Sequence, residues 1–156
     1  MDKSVLIPPA REDTSGAPSI FLGGSITGAS DWQALAIRLL RDNGFEGWIF
    51  NPRRDEAFSE EPGIWEEQVD WEREYLKKAT VILFWLPAGA DAFTSRWEIA
   101  EFVAKGKTLV VGIEQDVRRK KYIEYVLRNE YRANATICNS LEEVCRDAAI
   151  KVNGAM

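Results

Sequence analysis

The chain has 156 residues, of which 46% are hydrophobic and 29% are charged, and its formal net charge is −5. This length fits one domain that buries its own hydrophobic core. The negative charge argues against a broad nucleic-acid surface, and no apolar stretch approaches the roughly 18 residues that cross a bilayer. We therefore expect neither nucleic acid nor a membrane among its partners.

Two features of the sequence limit the possible catalytic groups and the expected cellular location. Histidine is absent from the sequence, which removes the commonest metal ligand and the most versatile acid and base, so catalysis would rest on carboxylates, hydroxyls or amides. We expect neither a metal nor a cofactor. The first residues lack the apolar segment of a secretory signal, and the two cysteines, Cys138 and Cys145, look like core filling. The expected location is cytoplasmic.

Hydrophobic periodicity divides the chain into a leader and one domain. Residues 1–18 hold three of the six prolines and predict an extended or poorly ordered leader, which leaves residues 19–156 as the domain. The predicted elements are strand Ile20 to Gly23, helix Trp32 to Asn43, strand Trp48 to Asn51, helix Ile64 to Lys78, strand Thr80 to Leu86, helix Arg96 to Lys105, strand Thr108 to Ile113, helix Lys121 to Glu130, strand Ala135 to Cys138 and helix Leu141 to Val152.

Strict alternation of strand and helix predicts a parallel sheet covered by helices on both faces. Five strands fit a flavodoxin-like three-layer α/β sandwich. Gly44 and Gly106 fall where helix C-caps are expected. Three pairs have the capping-box spacing at predicted helix starts: Ser30 with Gln33, Ser95 with Glu98, and Ser140 with Glu143.

The first candidate site is the glycine-rich turn of residues 23–28, which follows the first strand of the domain. Glycines there let the backbone approach a ligand, and the hydroxyls of Ser25 and Thr27 can hold sugar or phosphate oxygens. The turn lacks the dinucleotide spacing and a Walker lysine. The alternative is a tight turn with no ligand.

The second candidate is Glu72. On a helical wheel it lies in the middle of the apolar stripe, whereas Asp70 and Glu74 point the opposite way. A carboxylate that faces the sheet is rarely buried unless it is paired or functional. A buried ion pair or a cap for a nearby hydroxyl remains the alternative.

The third candidate is Glu98, which follows the apolar strand that ends at Leu86 and stands at the predicted start of a helix. Ligands of open α/β sheets bind at this edge, and the helix N-terminus favours an ionised, nucleophilic carboxylate. Trp97, with Trp85 and Phe93, would form an apolar wall for a flat base. Alternatively, Glu98 completes a capping box with Ser95, and the aromatic side chains are core or lid residues.

Weaker candidates have equally ordinary alternatives. Residues 51–54, which begin with Asn51, either contact a ligand or form a solvated turn. Asp91 either helps to protonate a base or is only a polar loop residue. The helix that contains Tyr122 and Asn129 either reaches a neighbouring subunit or packs on the core.

Three segments of the chain appear in a characteristic order: Phe21-Leu22-Gly23-Gly24-Ser25-Ile26; the helix with Glu72 ahead of Lys78-Ala79-Thr80-Val81-Ile82-Leu83; and Trp97-Glu98-Ile99-Ala100 followed by Lys105-Gly106-Lys107. Over roughly residues 19–113 this pattern resembles the nucleoside 2-deoxyribosyltransferase family, to which deoxynucleoside 5'-monophosphate N-glycosidases are related.

The resemblance implies that Glu98 is the nucleophile that forms a covalent deoxyribosyl enzyme, and that Glu72 positions the nucleophile or sugar and assists proton transfer. It implies a deoxynucleoside and a free nucleobase as substrates and a homo-oligomer in which Asn129 reaches a neighbouring pocket. Thr27 stands where the monophosphate hydrolases carry an arginine, which favours a nucleoside. The substrate-binding residues predicted with these two carboxylates are Phe21, Gly23, Gly24, Ser25, Asn51, Asp91 and Trp97.

The predicted function is therefore transfer of 2-deoxyribose between nucleobases. Two alternatives remain open at this stage. One is an N-glycosidase that gives the sugar to water, with Ser25 and Arg53 holding a 5'-phosphate. The other is a non-catalytic nucleotide-binding module that keeps the pocket without turnover.

Overall fold

A computed structural model of the chain describes residues 2, 4–55 and 61–155. Within these residues the chain forms six strands and five helices. The strands are β1 (Val5–Leu6), β2 (Ser19–Gly24), β3 (Trp48–Phe50), β4 (Val81–Leu86), β5 (Thr108–Ile113) and β6 (Ala135–Cys138). The helices are α1 (Trp32–Asp42), α2 (Ile64–Lys78), α3 (Phe93–Ala104), α4 (Lys120–Glu130) and α5 (Leu141–Gly154).

All strands pair in parallel in one sheet with the order β1-β3-β2-β4-β5-β6. The strand order reverses between β2 and β4, and the carboxyl end of such a switch point is where open α/β sheets bind ligands. The prediction of a parallel α/β fold with a flavodoxin-like layout is confirmed. The prediction of five strands was wrong, because the described chain has six.

The sixth strand, β1, lies in the leader. It has two residues, and Val5 and Leu6 pair with Ile49 and Phe50 of β3. A strand this short has no alternating pattern to reveal it, because its conformation is fixed by pairing with a distant segment. The rest of the leader also contacts the domain, since Ala10 O accepts a hydrogen bond of 2.8 Å from Trp71 Nε1. The division between residues 1–18 and 19–156 stays a prediction.

Helices cover both faces of the sheet. Alternate side chains of a strand point to opposite faces, so Phe84 joins the core layer beneath α2, α3 and α4, while Trp85 joins the layer beneath α1 and α5. All six residues of β4 are buried, which explains its uninterrupted apolar sequence. Among the described residues, none of the five helices has the length and apolar character that a bilayer crossing requires.

The helix ends correct part of the predicted capping. Ser140 caps α5 as predicted, and its hydroxyl accepts a hydrogen bond from the Glu143 amide. Asp31, not Ser30, caps α1 through a bond from the Ala34 amide. Helix α3 begins at Phe93, three residues before its predicted start. Two glycines with positive φ follow α1 and α3 at the predicted C-caps: Gly44 and Gly106.

We predict that Leu6→Ala lowers the free energy of unfolding by about 2–4 kcal/mol, because truncation of a buried leucine leaves a cavity. Leu6 is buried in the core layer beneath α2. Urea unfolding followed by tryptophan fluorescence measures the change. Ile150→Ala on the exposed surface of α5 is the control, and we expect it to stay within about 0.5 kcal/mol of wild type. Equal effects of the two substitutions would contradict the role assigned to β1.

Candidate active site

Two carboxyl groups lie on the same face of the sheet. Glu72 is on α2 and Glu98 is on α3, and both helices pack on the core layer that contains Phe21 and Phe84. The charge of Glu72 contributes to raising the pKa of Glu98, so the two carboxyl groups interact electrostatically. The pair lies beside β2 and β4, the strands of the switch point.

Glu98 is not part of a capping box. Ala92 is the N-cap of α3, which makes Ser95 the third residue of the helix and Glu98 the sixth. Glu98 is 7% exposed, and within the described residues its carboxyl group accepts no hydrogen bond and forms no ion pair. A buried carboxyl group without such partners is costly to ionise, and its oxygens remain available to a ligand.

Burial, with smaller contributions from the charges of Glu72 and Glu101, raises the pKa of Glu98 to about 8, while Arg73 opposes the shift. The expectation that the helix N-terminus keeps this carboxyl group ionised was wrong. Glu98 lies in the second turn of α3, and the field of a helix end acts mainly within the first turn. Desolvation therefore dominates, and Glu98 retains its proton near neutral pH.

Glu72 is half-buried on α2, as its place in the apolar stripe predicted. Burial raises its pKa, and the hydrogen bond from Gln68 and the charge of Arg54 oppose that shift. Gln68 Nε2 donates to Glu72 Oε1 at 2.8 Å. Asp70, on the same helix, is exposed, so the helical wheel separated the two acidic residues correctly.

A positively charged residue, Arg73, directly follows Glu72 on α2. Its guanidinium group donates to Glu101 Oε2 and lies 5.2 Å from the centre of the Phe102 ring. Glu101 also accepts a hydrogen bond of 2.8 Å from Lys105. Arg73 thus forms its hydrogen bond with Glu101, while it acts on Glu98 through its charge alone.

The glycine-rich turn is shaped by aromatic packing. A Cβ atom on Gly23 would lie 2.4 Å from the Phe84 ring, and one on Gly24 would lie 2.6 Å from the Trp32 ring. Trp32 Nε1 donates to Ser25 O at 2.9 Å, whereas the buried Ser25 Oγ has no hydrogen-bond partner among the described residues. The glycines thus allow two rings to pack against β2, and a role of the Ser25 hydroxyl in ligand binding stays a prediction.

Two consecutive arginines after β3 form hydrogen bonds with different parts of the protein. Asn51 is buried, and its Oδ1 accepts a bond of 3.1 Å from the Arg53 amide. Arg53 donates to Gln33 Oε1 and to three carbonyl oxygens of residues 26–30. Arg54 instead donates to Gln68 Oε1 at 2.6 Å and to Glu67 at 2.7 Å. Both arginine side chains are engaged within the protein, so the segment is not a solvated turn, and contact of Asn51 with a ligand stays a prediction.

The predicted aromatic wall does not form as expected. Trp85 lies on the face covered by α1 and α5, opposite Glu98, because successive residues of β4 alternate between faces. Trp97 and Phe93 are 73% and 74% exposed on the outer side of α3. Phe21 is a core residue, with its ring centre 6.3 Å from that of Trp71.

The remaining candidates lie outside this cluster. Asp91 is exposed, and its backbone oxygen accepts a hydrogen bond from Arg96. Asn129 is the tenth residue of α4, toward the amino end of the sheet, and its side chain donates to Tyr125 O at 2.7 Å. No group of three His, Cys, Asp or Glu side chains in residues 2, 4–55 and 61–155 is arranged to hold a metal ion.

Sequence reasoning did not connect Gln68 and Arg54 to Glu72, although Arg54 lies in the candidate segment of residues 51–54. Gln68 stands four residues before Glu72 on α2, and this spacing places both side chains on one helical face. Arg54 gave no local signal, because its partners are 13 and 14 residues away.

Two shallow depressions lie at the opposite edge of the sheet. Their volumes are about 470 and 390 Å³, and they are lined by residues around Pro18, Trp48 and Thr80. Neither is lined by Glu72 or Glu98. The buried carboxyl pair makes the switch point the candidate site instead.

We predict that Glu98→Gln makes the protein less sensitive to pH. Since the pKa of Glu98 is about 8 in the folded chain and 4.5 in the reference state, the folded state retains a proton that the unfolded state loses. The free energy of unfolding should therefore fall as pH rises from about 5 to 8 in wild type, and the variant should gain roughly 2–4 kcal/mol relative to wild type over that range.

Urea unfolding curves between about pH 5 and pH 8 measure this difference. Glu130→Gln, at the exposed end of α4, is the control and should follow the wild-type curve. Parallel pH dependences of wild type and Glu98→Gln would contradict the burial of an unpaired Glu98.

Comparison with known proteins connects this geometry to a family. The model of the family described as "Nucleoside 2-deoxyribosyltransferase like" matches residues 17–117, and no curated protein matched the chain. One similar solved structure is titled "Crystal structure of conserved protein from Enterococcus faecalis V583"; it has a TM-score of 0.61 and 12% identity, over 89% of this chain and 99% of that one. At that identity the likeness shows a shared fold alone. Because the family match covers more than half of the chain, including the elements that carry Glu72 and Glu98, the protein belongs to the nucleoside 2-deoxyribosyltransferase-like family.

Proposed function

We propose that the protein transfers 2-deoxyribose from one nucleobase to another through a covalent intermediate on Glu98. One observation carries the proposal: Glu98 is buried beside Glu72 and, within the described residues, has no hydrogen bond that would occupy its oxygens. Membership of the family supports the substrate class, a nucleoside and a free base.

The proposed first step balances with the groups of this pair. An oxygen of Glu98 bonds to the anomeric carbon as the bond from that carbon to the base nitrogen breaks, and the electron pair stays on the base. The proton that Glu98 retains is relayed by Glu72 to the departing base. Glu98 is then an ester and Glu72 a carboxylate, so the net charge is unchanged.

In the second step an incoming base reverses this sequence. Its nitrogen bonds to the anomeric carbon, the ester bond breaks, and the proton of the base returns to the pair. Two displacements at one carbon give net retention, as in retaining glycosidases. Glu72 transfers the proton to the departing base in the first step and accepts it from the incoming base in the second. While Glu98 is esterified, Glu72 is a carboxylate.

A nucleoside fits the site better than a 5'-monophosphate. Arg53 is the arginine that contacts the glycine-rich turn. Its Nε donates to Gln33, and its Nη2 donates to backbone oxygens of residues 26–30. A phosphate would have to compete with these contacts. The hydroxyl of Ser25, which is unpartnered among the described residues, suits a sugar oxygen.

We predict that incubation with a deoxynucleoside adds the mass of one deoxyribosyl group to wild type and not to Glu98→Gln. Base exchange, for example formation of deoxyadenosine from deoxyinosine and adenine, should fall by roughly 10³-fold or more in Glu98→Gln. Glu72→Gln should lose about 10²-fold, the usual contribution of a proton-transfer group. Intact-mass spectrometry and chromatography of the products measure both effects.

Asp70→Asn is the matched control, since Asp70 is an exposed acid on the same helix as Glu72, and it should retain exchange. Release of free deoxyribose without an acceptor base would identify a hydrolase. Nucleoside binding without an adduct, unchanged in Glu98→Gln, would identify a non-catalytic module. Either result would overturn the transferase proposal.

We also propose that a second copy of the chain packs against α3 and α4. Four large aromatic side chains on these helices are at least 70% exposed: Phe93, Trp97, Tyr122 and Tyr125. Arg96 of α3 donates to Arg118 O at 2.8 Å, which ties α3 to the loop before α4. Such a concentration of exposed rings is typical of protein interfaces.

We predict that Tyr122→Glu combined with Tyr125→Glu converts the assembly to a monomer, because charged groups in the centre of an interface are unfavourable. Light scattering coupled to size-exclusion chromatography measures the molecular mass. Ile150→Glu is the control, since Ile150 is a comparably exposed apolar residue on α5, on the other face of the sheet. A wild-type monomer, or an assembly that survives the double substitution, would refute this interface.

A further inference from the structure

Four groups form a continuous hydrogen-bonded chain that ends at Glu72. Arg54 Nε donates to Gln68 Oε1 at 2.6 Å. Gln68 Nε2 donates both to Pro52 O and to Glu72 Oε1, each at 2.8 Å. Gln68 is buried, and these contacts use the oxygen and both hydrogens of its amide.

The chemistry of the partners fixes the orientation of this amide. A guanidinium group only donates hydrogen bonds, so Arg54 must face the amide oxygen. A backbone carbonyl only accepts them, so Pro52 O must face the amide nitrogen. A flipped Gln68 would break both contacts and present an oxygen to Glu72. The donor that reaches Glu72 Oε1 is therefore determined by Arg54, which does not itself contact Glu72.

We infer that Gln68 and Arg54 are positioning residues that assign the two oxygens of Glu72 to different tasks. Glu72 Oε1 accepts the hydrogen bond that Gln68 donates. The other oxygen, Oε2, is left to exchange the proton with Glu98 and the departing base. Within the described residues no hydrogen bond is made to Oε2. This inference rests on the proposed function, because the exchanged proton is the one that the base requires.

The charges around the pair support the same arrangement. Arg54 and the Gln68 amide favour the ionised form of Glu72, whereas burial opposes it. Glu98, on α3, interacts electrostatically with Glu72 and Arg73 of α2 and with Glu101 of its own helix. Gln68 thereby biases the shared proton toward Glu98 in the free protein. Without that donor, the proton would move toward Glu72 and the balance between the two groups would change.

The positioning role is tested with Gln68→Met, which keeps the length of the side chain and removes its hydrogen bonds, and with Gln68→Glu, which replaces the donor with an acceptor. We expect the acidic limb of the pH profile of kcat/KM to move up by about one pH unit or more in both variants. Base exchange at neutral pH should fall by roughly 10- to 100-fold, with the larger loss in Gln68→Glu.

Arg54→Lys keeps the positive charge and loses the fork that fixes the amide, so it should shift the profile in the same direction without removing Gln68. This second variant decides the question if Gln68→Met does not fold. Glu67→Gln is the matched control. It removes the outer ion pair of Arg54 but not the bond from Nε to Gln68, and it should keep the wild-type profile.

A carboxyl-detected NMR titration of Glu72 gives a readout that needs no turnover. Its midpoint should rise in Gln68→Met by about one pH unit. Wild-type values of this midpoint and of the pH profile in folded Gln68→Met and Arg54→Lys would overturn the inference. Failure of wild type to exchange bases would overturn the proposed function, while the NMR titration would still decide whether Gln68 controls Glu72.

Discussion

The organisation of the site depends on the burial of two carboxyl groups against one face of a parallel sheet. Water stabilises a carboxylate strongly, and its removal from Glu98 is compensated by no hydrogen bond within the described residues. The energetic consequence is a proton retained near neutral pH, with the pKa of Glu98 raised to about 8 by burial. In the proposed reaction this retained proton is the one that the leaving base needs, so the cost of burial and the chemistry are linked.

The topology of the sheet brings the pair together. Helix α2 follows β3, which pairs with one side of β2, and α3 follows β4, which pairs with the other side. Between Glu72 and Glu98 the chain therefore passes from one side of the switch point to the other. Both helices then pack on the same core layer. Neither helix alone could desolvate its glutamate to this extent, because each needs the sheet and the neighbouring helix to exclude water.

The segment after β3 contacts both the glycine-rich turn and helix α2. Asn51 fixes the turn through the Arg53 amide, and the following side chains diverge. Arg53 secures the glycine-rich turn above β2, whereas Arg54 reaches α2 and orients Gln68. Two cations next to the candidate site are thus engaged in hydrogen bonds within the protein. A net-negative substrate would find fewer free cations here than the sequence suggests.

Much of the fold could be read from the sequence, because the relevant signals are local. The uninterrupted apolar sequence of β4 and the alternation of elements predict buried parallel strands, and the period of α2 places Glu72 toward the sheet. The glycine after each of α1 and α3 marks a helix end. These are properties of neighbouring residues along the chain, and tertiary packing did not need to alter them.

Other features were decided by contacts between distant segments. The two-residue strand β1 exists because β3 offers it a partner, and Trp85 lies away from Glu98 because the register of β4 assigns it to the other face. The start of α3 at Phe93 frees Glu98 from the capping box that local spacing predicted. The sequence by itself determined which residue types are available near the edge of the sheet. Only the tertiary structure decided which of them are desolvated together, since burial and pairing depend on groups that are far apart in the chain.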